Sequence, residues 1–120
     1  MKYRIKRQVL EMIMESSKDT MPNEFAAFLR ARAGIIYEIV MIPTISGRRS
    51  ATYMLHMKPI DFSIVGTVHS HPSGVLIPSD EDLHLFSQTG NVHIIVGYPF
   101  RIDSFRAFDR YGKPIEVDVI

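Results

Sequence analysis

The chain has 120 residues, of which 14 are basic and 13 acidic, leaving a formal net charge of +1. So even a balance gives no ground for expecting a nucleic-acid or membrane-surface partner. Cysteine is absent, which excludes a disulfide framework, a thiolate metal site and a cysteine nucleophile. Any metal must therefore be held by histidines and carboxylates.

A chain of this length reads as one domain over 1–120, able to bury roughly two-thirds of its unfolded surface. Its hydrophobic fraction of 46% and charged fraction of 22% are those of an ordinary soluble globular protein. No apolar run approaches the ~20 residues of a membrane span. The basic start lacks the apolar core of a signal peptide. The expected location is the cytoplasm.

In chain order, Ile5, Val9, Met12 and Ile13 recur at helical spacing and predict an amphipathic helix over 4–17. Lys2, Arg4, Lys6 and Arg7 would form its solvated face. Pro22 breaks the pattern, and Gly34 separates a short apolar segment from a β-branched and aromatic strand over 35–42. A turn around Ser46-Gly47 and a strand over 51–57 follow. Phe62 to Val68, the most apolar stretch, predicts a buried strand running into His69-Ser70-His71-Pro72. Ser79 opens a helix over about 80–89, closed by Gly90. Later strands are expected at 92–96, 105–108 and 115–119, with a turn at Tyr111-Gly112-Lys113. This alternation predicts an α/β fold with one mixed sheet flanked by helices.

The chemistry concentrates between His69 and Asp82. Residues two apart on a strand share a face, so His69 and His71 can present both imidazoles to one point. Neutral imidazole is a good zinc ligand. Two histidines and a carboxylate leave a fourth position open, the arrangement of a catalytic zinc. Asp82 falls in the first turn of the next helix, where the intervening loop can return it to the strand end. A competing reading exists: Ser79-x-x-Asp82 also fits a helix capping box, and Asp80 and Glu81 suit the positive end of the helix dipole. The joint pattern favours the metal. His56, His84 and His93 do not complete it and read as structural.

His-Ser-His-Pro, six residues, Ser, two residues and Asp resembles the JAMM (MPN+) signature in every defined position and in spacing. The resemblance reaches the short stand-alone archaeal members over nearly the whole chain. It implies a cytidine-deaminase-like JAMM/MPN fold and one zinc ion per chain, held by His69, His71 and Asp82. It also implies an upstream glutamate as general base, and Glu24 stands in that place. Ser79 would stabilise the oxyanion. A true zinc deaminase is disfavoured, because its Pro-Cys-x-x-Cys ligands cannot exist without cysteine.

By the same resemblance, the substrates are ubiquitin-like modifier proteins and their conjugates, cut at isopeptide or linear bonds after the modifier's C-terminal glycine. A tail of that kind would be added to a sheet edge, for which Ile45 to Tyr53 is the candidate. The alternative is a non-catalytic MPN scaffold subunit of a protein assembly. Such scaffolds have usually lost the metal ligands that are present here. A metal-storage module finds less support, since a single site with an open position suits catalysis. The oligomeric state is not legible.

Overall fold

The computed structural model describes residues 2–41 and 61–120. The expected turn over 43–49, the strand over 51–57, the candidate edge Ile45–Tyr53 and His56 lie outside the described residues. The elements are β1 (Tyr3–Ile5), α1 (Arg7–Thr20), β2 (Ala26–Arg32), β3 (Ile35–Met41), β4 (Ile64–His71), α2 (Asp80–Thr89), β5 (Val92–Gly97), β6 (Phe105–Phe108), β7 (Pro114–Ile115) and β8 (Val117–Val119). Among the described residues the strands form one mixed sheet in the order β7-β6-β5-β4-β2-β3-β1-β8. No helix among them is long and apolar enough to cross a membrane.

The first helix corrects the reading from spacing. It begins at Arg7, and Tyr3–Ile5 form a strand instead. Tyr3 and Ile5 are buried on either side of exposed Arg4, the alternation of a strand. The segment pairs in parallel with both β3 and β8. Ile5 stands four residues before Val9 and so mimics a helical position, but pairing to two flanking strands overrides that local signal. Lys2, Arg4, Lys6 and Arg7 are exposed as expected, though only Arg7 belongs to the helix. Along α1, Val9, Leu10, Ile13, Met14 and Ser17 line one buried face. The Ser17 hydroxyl donates to the Ile13 carbonyl at 2.8 Å, so its burial leaves no unmet donor.

Two layers of side chains cover the sheet. Ala27, Leu29, Val68, Ile94 and Val96 pack with α1 on one face. Ala26 and Phe28 meet Leu85 of α2 on the other, where Ile95 and Phe108 meet Phe86. β2 and β5 therefore bury both faces, which explains their nearly unbroken apolar runs. On β3, Ile36 and Ile39 both reach the α1 side despite their odd spacing. A register shift opposite Arg30/Ala31, passing from Glu38 to Ile36, accounts for the change of parity.

β4, α2 and β5 form a parallel crossover unit, with β4 also antiparallel to β2. β4 starts at Ile64, later than expected, and continues through His71. Phe62 is fully exposed in the turn before it. That turn is held by Asp61, whose carboxylate accepts from the Ser63 N–H at 2.8 Å and from Arg30.

The expected strand over 115–119 is divided at Glu116. β7 pairs with β6, and β8 pairs with β1. These partners lie at opposite ends of the strand order, yet one residue separates β7 from β8. The sheet curls until its two ends meet, with the apolar face of α1 packed inside the curl.

Candidate metal centre and active site

On β4, Thr67, His69 and His71 project toward α2, while Val68 and Ser70 project the other way. His69 is buried, with its ring 6.3 Å from that of Phe86. His71 lies at the C-terminal end of the strand and is half-buried. The outer edge of a parallel strand pair, just before a helix N-terminus, is where open α/β sheets place their sites.

The chain after His71 turns back over the end of β5. Gly74 donates its N–H to the His71 carbonyl at 2.9 Å and takes a φ of 81°, which favours glycine. A Cβ on Gly97 would come within 3.1 Å of the Gly74 Cα and 2.7 Å of a Leu76 methyl. Two facing glycines thus let the loop press onto β5. The Val75 carbonyl lies 2.7 Å from His71 Nδ1. A carbonyl can only accept, so Nδ1 carries the hydrogen and the Nε2 lone pair faces the cluster.

The loop delivers Ser79 as the N-cap of α2. Its Oγ accepts from the Asp82 N–H at 3.0 Å, and its own N–H donates to Asp82 Oδ2 at 2.9 Å. This is the complete capping box. It also aims the Asp82 carboxylate at the two histidines: Oδ1 lies 3.2 Å from His69 Nε2 and Oδ2 lies 3.4 Å from His71 Nε2. The two Nε2 atoms are 3.1 Å apart.

Three ligands at about 2.0–2.1 Å from a tetrahedral ion lie about 3.3 Å from one another. The two Nε2 atoms, 3.1 Å apart, match that spacing, and they lie 3.2 and 3.4 Å from different oxygens of Asp82, so two imidazoles and one carboxylate converge as a small divalent cation requires. His69, His71 and Asp82 form a group with metal-holding geometry. Electrostatics favour charge here. Burial works against ionised Asp82, but its close contacts with His69 and His71, together with the Ser79 N–H, outweigh it and hold the carboxyl well below the usual range. The facing Asp82 raises the His71 pKa against the effect of burial, with further help from Val75 and from the charge of Glu24.

Glu24 reaches this site by register. Ala26 pairs with His69, and the ladder continues to Phe25 and Ser70, whose N–H donates to the Phe25 carbonyl at 2.9 Å. Continued one residue beyond the paired ladder, this register sets Glu24 level with His71 on the same face of the sheet, and the charge of Glu24 contributes to the raised His71 pKa. It lies two residues ahead of β2 and is exposed. The structure thus brings Glu24, His69, His71, Ser79 and Asp82 to one place. His84 is exposed on α2 and stays apart.

One residue of the site escaped sequence reasoning. Ser70, fully buried between His69 and His71 in sequence, accepts the Phe25 N–H on its hydroxyl at 2.8 Å. Its position inside His-Ser-His was the available signal. Beneath the site, His93 is fully buried. Its Nε2 donates to the Gly90 carbonyl at 3.0 Å, and its Nδ1 accepts from Thr67 at 2.8 Å. Phe86 stacks on its ring at 4.3 Å. Burial pushes the imidazole down to about 4.

Comparison with known proteins agrees with this arrangement. The family model for prokaryotic homologues of the JAB domain matches residues 6–111. A relative from Haloferax volcanii, described as a probable metalloprotease, is 40% identical over 127 residues, covering 97% of this chain and 78% of the relative. A JAB1/MPN domain protein from Archaeoglobus fulgidus superposes with a TM-score of 0.82 at 38% identity, over 98% of both chains. A second structure, described as a metalloprotease-like JAMM zinc site in the proteasome and signalosome, gives 0.81 at 33% identity over 100% of this chain and 99% of the other. A protein from Desulfitobacterium hafniense, at 16% identity and a TM-score of 0.69, shares the fold. With its matched span, its mixed sheet and its His-His-Asp cluster, the chain belongs to the JAMM/MPN family, among the prokaryotic homologues of the JAB domain.

Proposed function

We propose that the chain is a zinc-dependent metalloprotease that hydrolyses isopeptide bonds, and linear peptide bonds of the same kind, after the C-terminal glycine of ubiquitin-like modifier proteins. It would act in the cytoplasm with one zinc ion per chain. The observation that carries the reading is the convergence of His69, His71 and Asp82 in one group able to hold a metal, with the register of β2 on β4, extended past Ala26, directing Glu24 toward His71. Bound by those three residues, zinc would supply the Lewis acidity that makes a water nucleophilic near neutral pH.

The chain's own groups account for the remaining requirements. Glu24 takes the proton of the attacking water and delivers it to the leaving lysine amine as the C–N bond breaks. Ser79 donates its hydroxyl hydrogen to the carbonyl oxygen as that oxygen becomes negative. The capping box uses an Oγ lone pair of Ser79 to accept from Asp82, so capping and donation are compatible. The Val75 carbonyl keeps the His71 proton on Nδ1 and the lone pair of Nε2 toward the cluster.

The experiment incubates the zinc-loaded chain with ubiquitin-like conjugates and with linear fusions, with and without a chelator. Mass spectrometry identifies the bond that is cut. Chelator-sensitive cleavage after the terminal glycine is the expected result. Tight zinc binding with no cleavage of any conjugate or fusion would overturn the proposal in favour of a non-catalytic scaffold.

A further inference from the structure

We infer that Ser70 is a positioning residue for Glu24: its buried hydroxyl takes the place of a ladder hydrogen bond and fixes where the β2 end delivers the Glu24 carboxylate. The inference rests on Glu24 being the proton carrier of the proposed reaction.

The ladder shows how. In an antiparallel hydrogen-bonded pair, two residues exchange both N–H···O=C bonds. Phe25 and Ser70 exchange only one of them through the backbone, from the Ser70 N–H to the Phe25 carbonyl. The returning bond, from the Phe25 N–H, goes to the Ser70 side chain instead. The side-chain oxygen thus sets the path of β2 at its first paired residue. Regular pairing in β2 begins one residue later, at Ala26.

Glu24 lies between two fixed points. Behind it, the Asn23 N–H donates to the Thr20 carbonyl at 2.9 Å, tying the turn to the end of α1. Ahead of it, Phe25 is held by Ser70 and by its ring, which is buried in the core against α1. Ser70 projects toward α1, so it touches neither the ligand atoms nor the substrate side. Its influence on chemistry runs through the backbone of Phe25. A buried Phe25 N–H deprived of that hydroxyl would have to find another acceptor, and the nearest remedy is a shift of the segment that carries Glu24.

The test uses the full chain and three variants. Ser70→Ala removes the hydroxyl. Ser70→Thr keeps it, and Ser70→Val has threonine's shape without it. Zinc affinity is measured with the metal alone against a chelating dye, kcat and KM on a cleaved conjugate, and the placement of Glu24 from crystal structures of the metal-free proteins. Ser70→Ala and Ser70→Val should lose at least ~10-fold in kcat, with KM and zinc affinity within ~3-fold of the unmodified chain. Their Glu24 carboxylate should be withdrawn from His71, while Ser70→Thr keeps both placement and turnover. An unmoved Glu24 in Ser70→Ala would overturn the inference, as would a kcat loss matched by lost zinc or shared by Ser70→Thr. Should Ser70→Ala fail to fold, the threonine–valine contrast decides. Should the unmodified chain cleave nothing, the proposed reaction falls, and the metal-free structures still decide whether Ser70 fixes Glu24.

Discussion

Ser79 and Asp82 bind each other twice, and the same Asp82 oxygen that accepts the Ser79 N–H at 2.9 Å lies 3.4 Å from His71 Nε2. Helix cap and proposed metal ligand, which read as competing explanations of one sequence pattern, would be two uses of a single carboxylate. The cap orients the ligand before any ion arrives, so little side-chain freedom is lost on binding.

Asp82→Asn separates the two uses. The amide oxygen can still accept from Ser79, while the negative charge between the histidines disappears. Zinc affinity should fall by more than ~10²-fold, beyond what loss of an outer-sphere partner costs. Stability should change by less than the ~0.5–2 kcal/mol of a lost cap. Chelator competition and urea denaturation of the metal-free protein check the two halves. Unchanged zinc affinity in Asp82→Asn would reduce Asp82 to a capping residue.

Ser79→Ala removes both a cap acceptor and the proposed oxyanion donor. Stability should drop by about 1 kcal/mol, and kcat should fall roughly 10²–10³-fold. Zinc content should hold, because Ser79 supplies no ligand atom. Normal kcat together with a lowered melting temperature would leave Ser79 as a cap alone.

For Glu24→Gln the size is kept and the base removed. Zinc affinity should stay close to that of the unmodified chain, while turnover drops by at least ~10²-fold. Elemental analysis and conjugate cleavage on one preparation give both quantities. Turnover at the normal rate would place the proton carrier elsewhere.

His93 makes stability depend on pH. Its imidazole is pushed down to about 4 by burial in the folded chain, against about 6.5 when unfolded. Between those values the unfolded state binds more protons, so stability rises with pH there. The contribution is complete above pH 6.5 and declines as pH falls toward 4. From the size of the shift it amounts to something on the order of 3 kcal/mol. Urea denaturation of metal-free protein across this window should show a steeper acid loss than His93→Gln does. Parallel curves for the two proteins would contradict the assignment.

Much of the site was legible because its residues sit close together in sequence and carry distinctive chemistry. His69, His71, Ser79 and Asp82 fall within one strand–loop–helix passage, so periodicity and capping rules place them with no knowledge of the sheet. Glu24 was legible only by family resemblance, since its approach to His71 depends on the long-range pairing of β2 with β4. Beyond its place in His-Ser-His, Ser70 carries no local signal, because its work is a hydrogen bond to a residue 45 positions away. The misread start of α1 and the division at Glu116 have the same origin. Both are decided by pairing between β1 and β8, and no local pattern records it.

That pairing also orders the events of folding. Tyr3 lies beside Val117, and Ile5 beside Val119, so the first strand of this sheet in chain order pairs with its last. On a ribosome, α1 can form early, but the core cluster that holds its Val9, Leu10, Ile13 and Met14 is incomplete until Val117 and Val119 have emerged. Contacts of such long sequence separation slow folding and keep the incomplete chain prone to aggregation. A nascent chain halted before Val117 is therefore expected to be a client for chaperones, and release of β8 is expected to be the step that frees it.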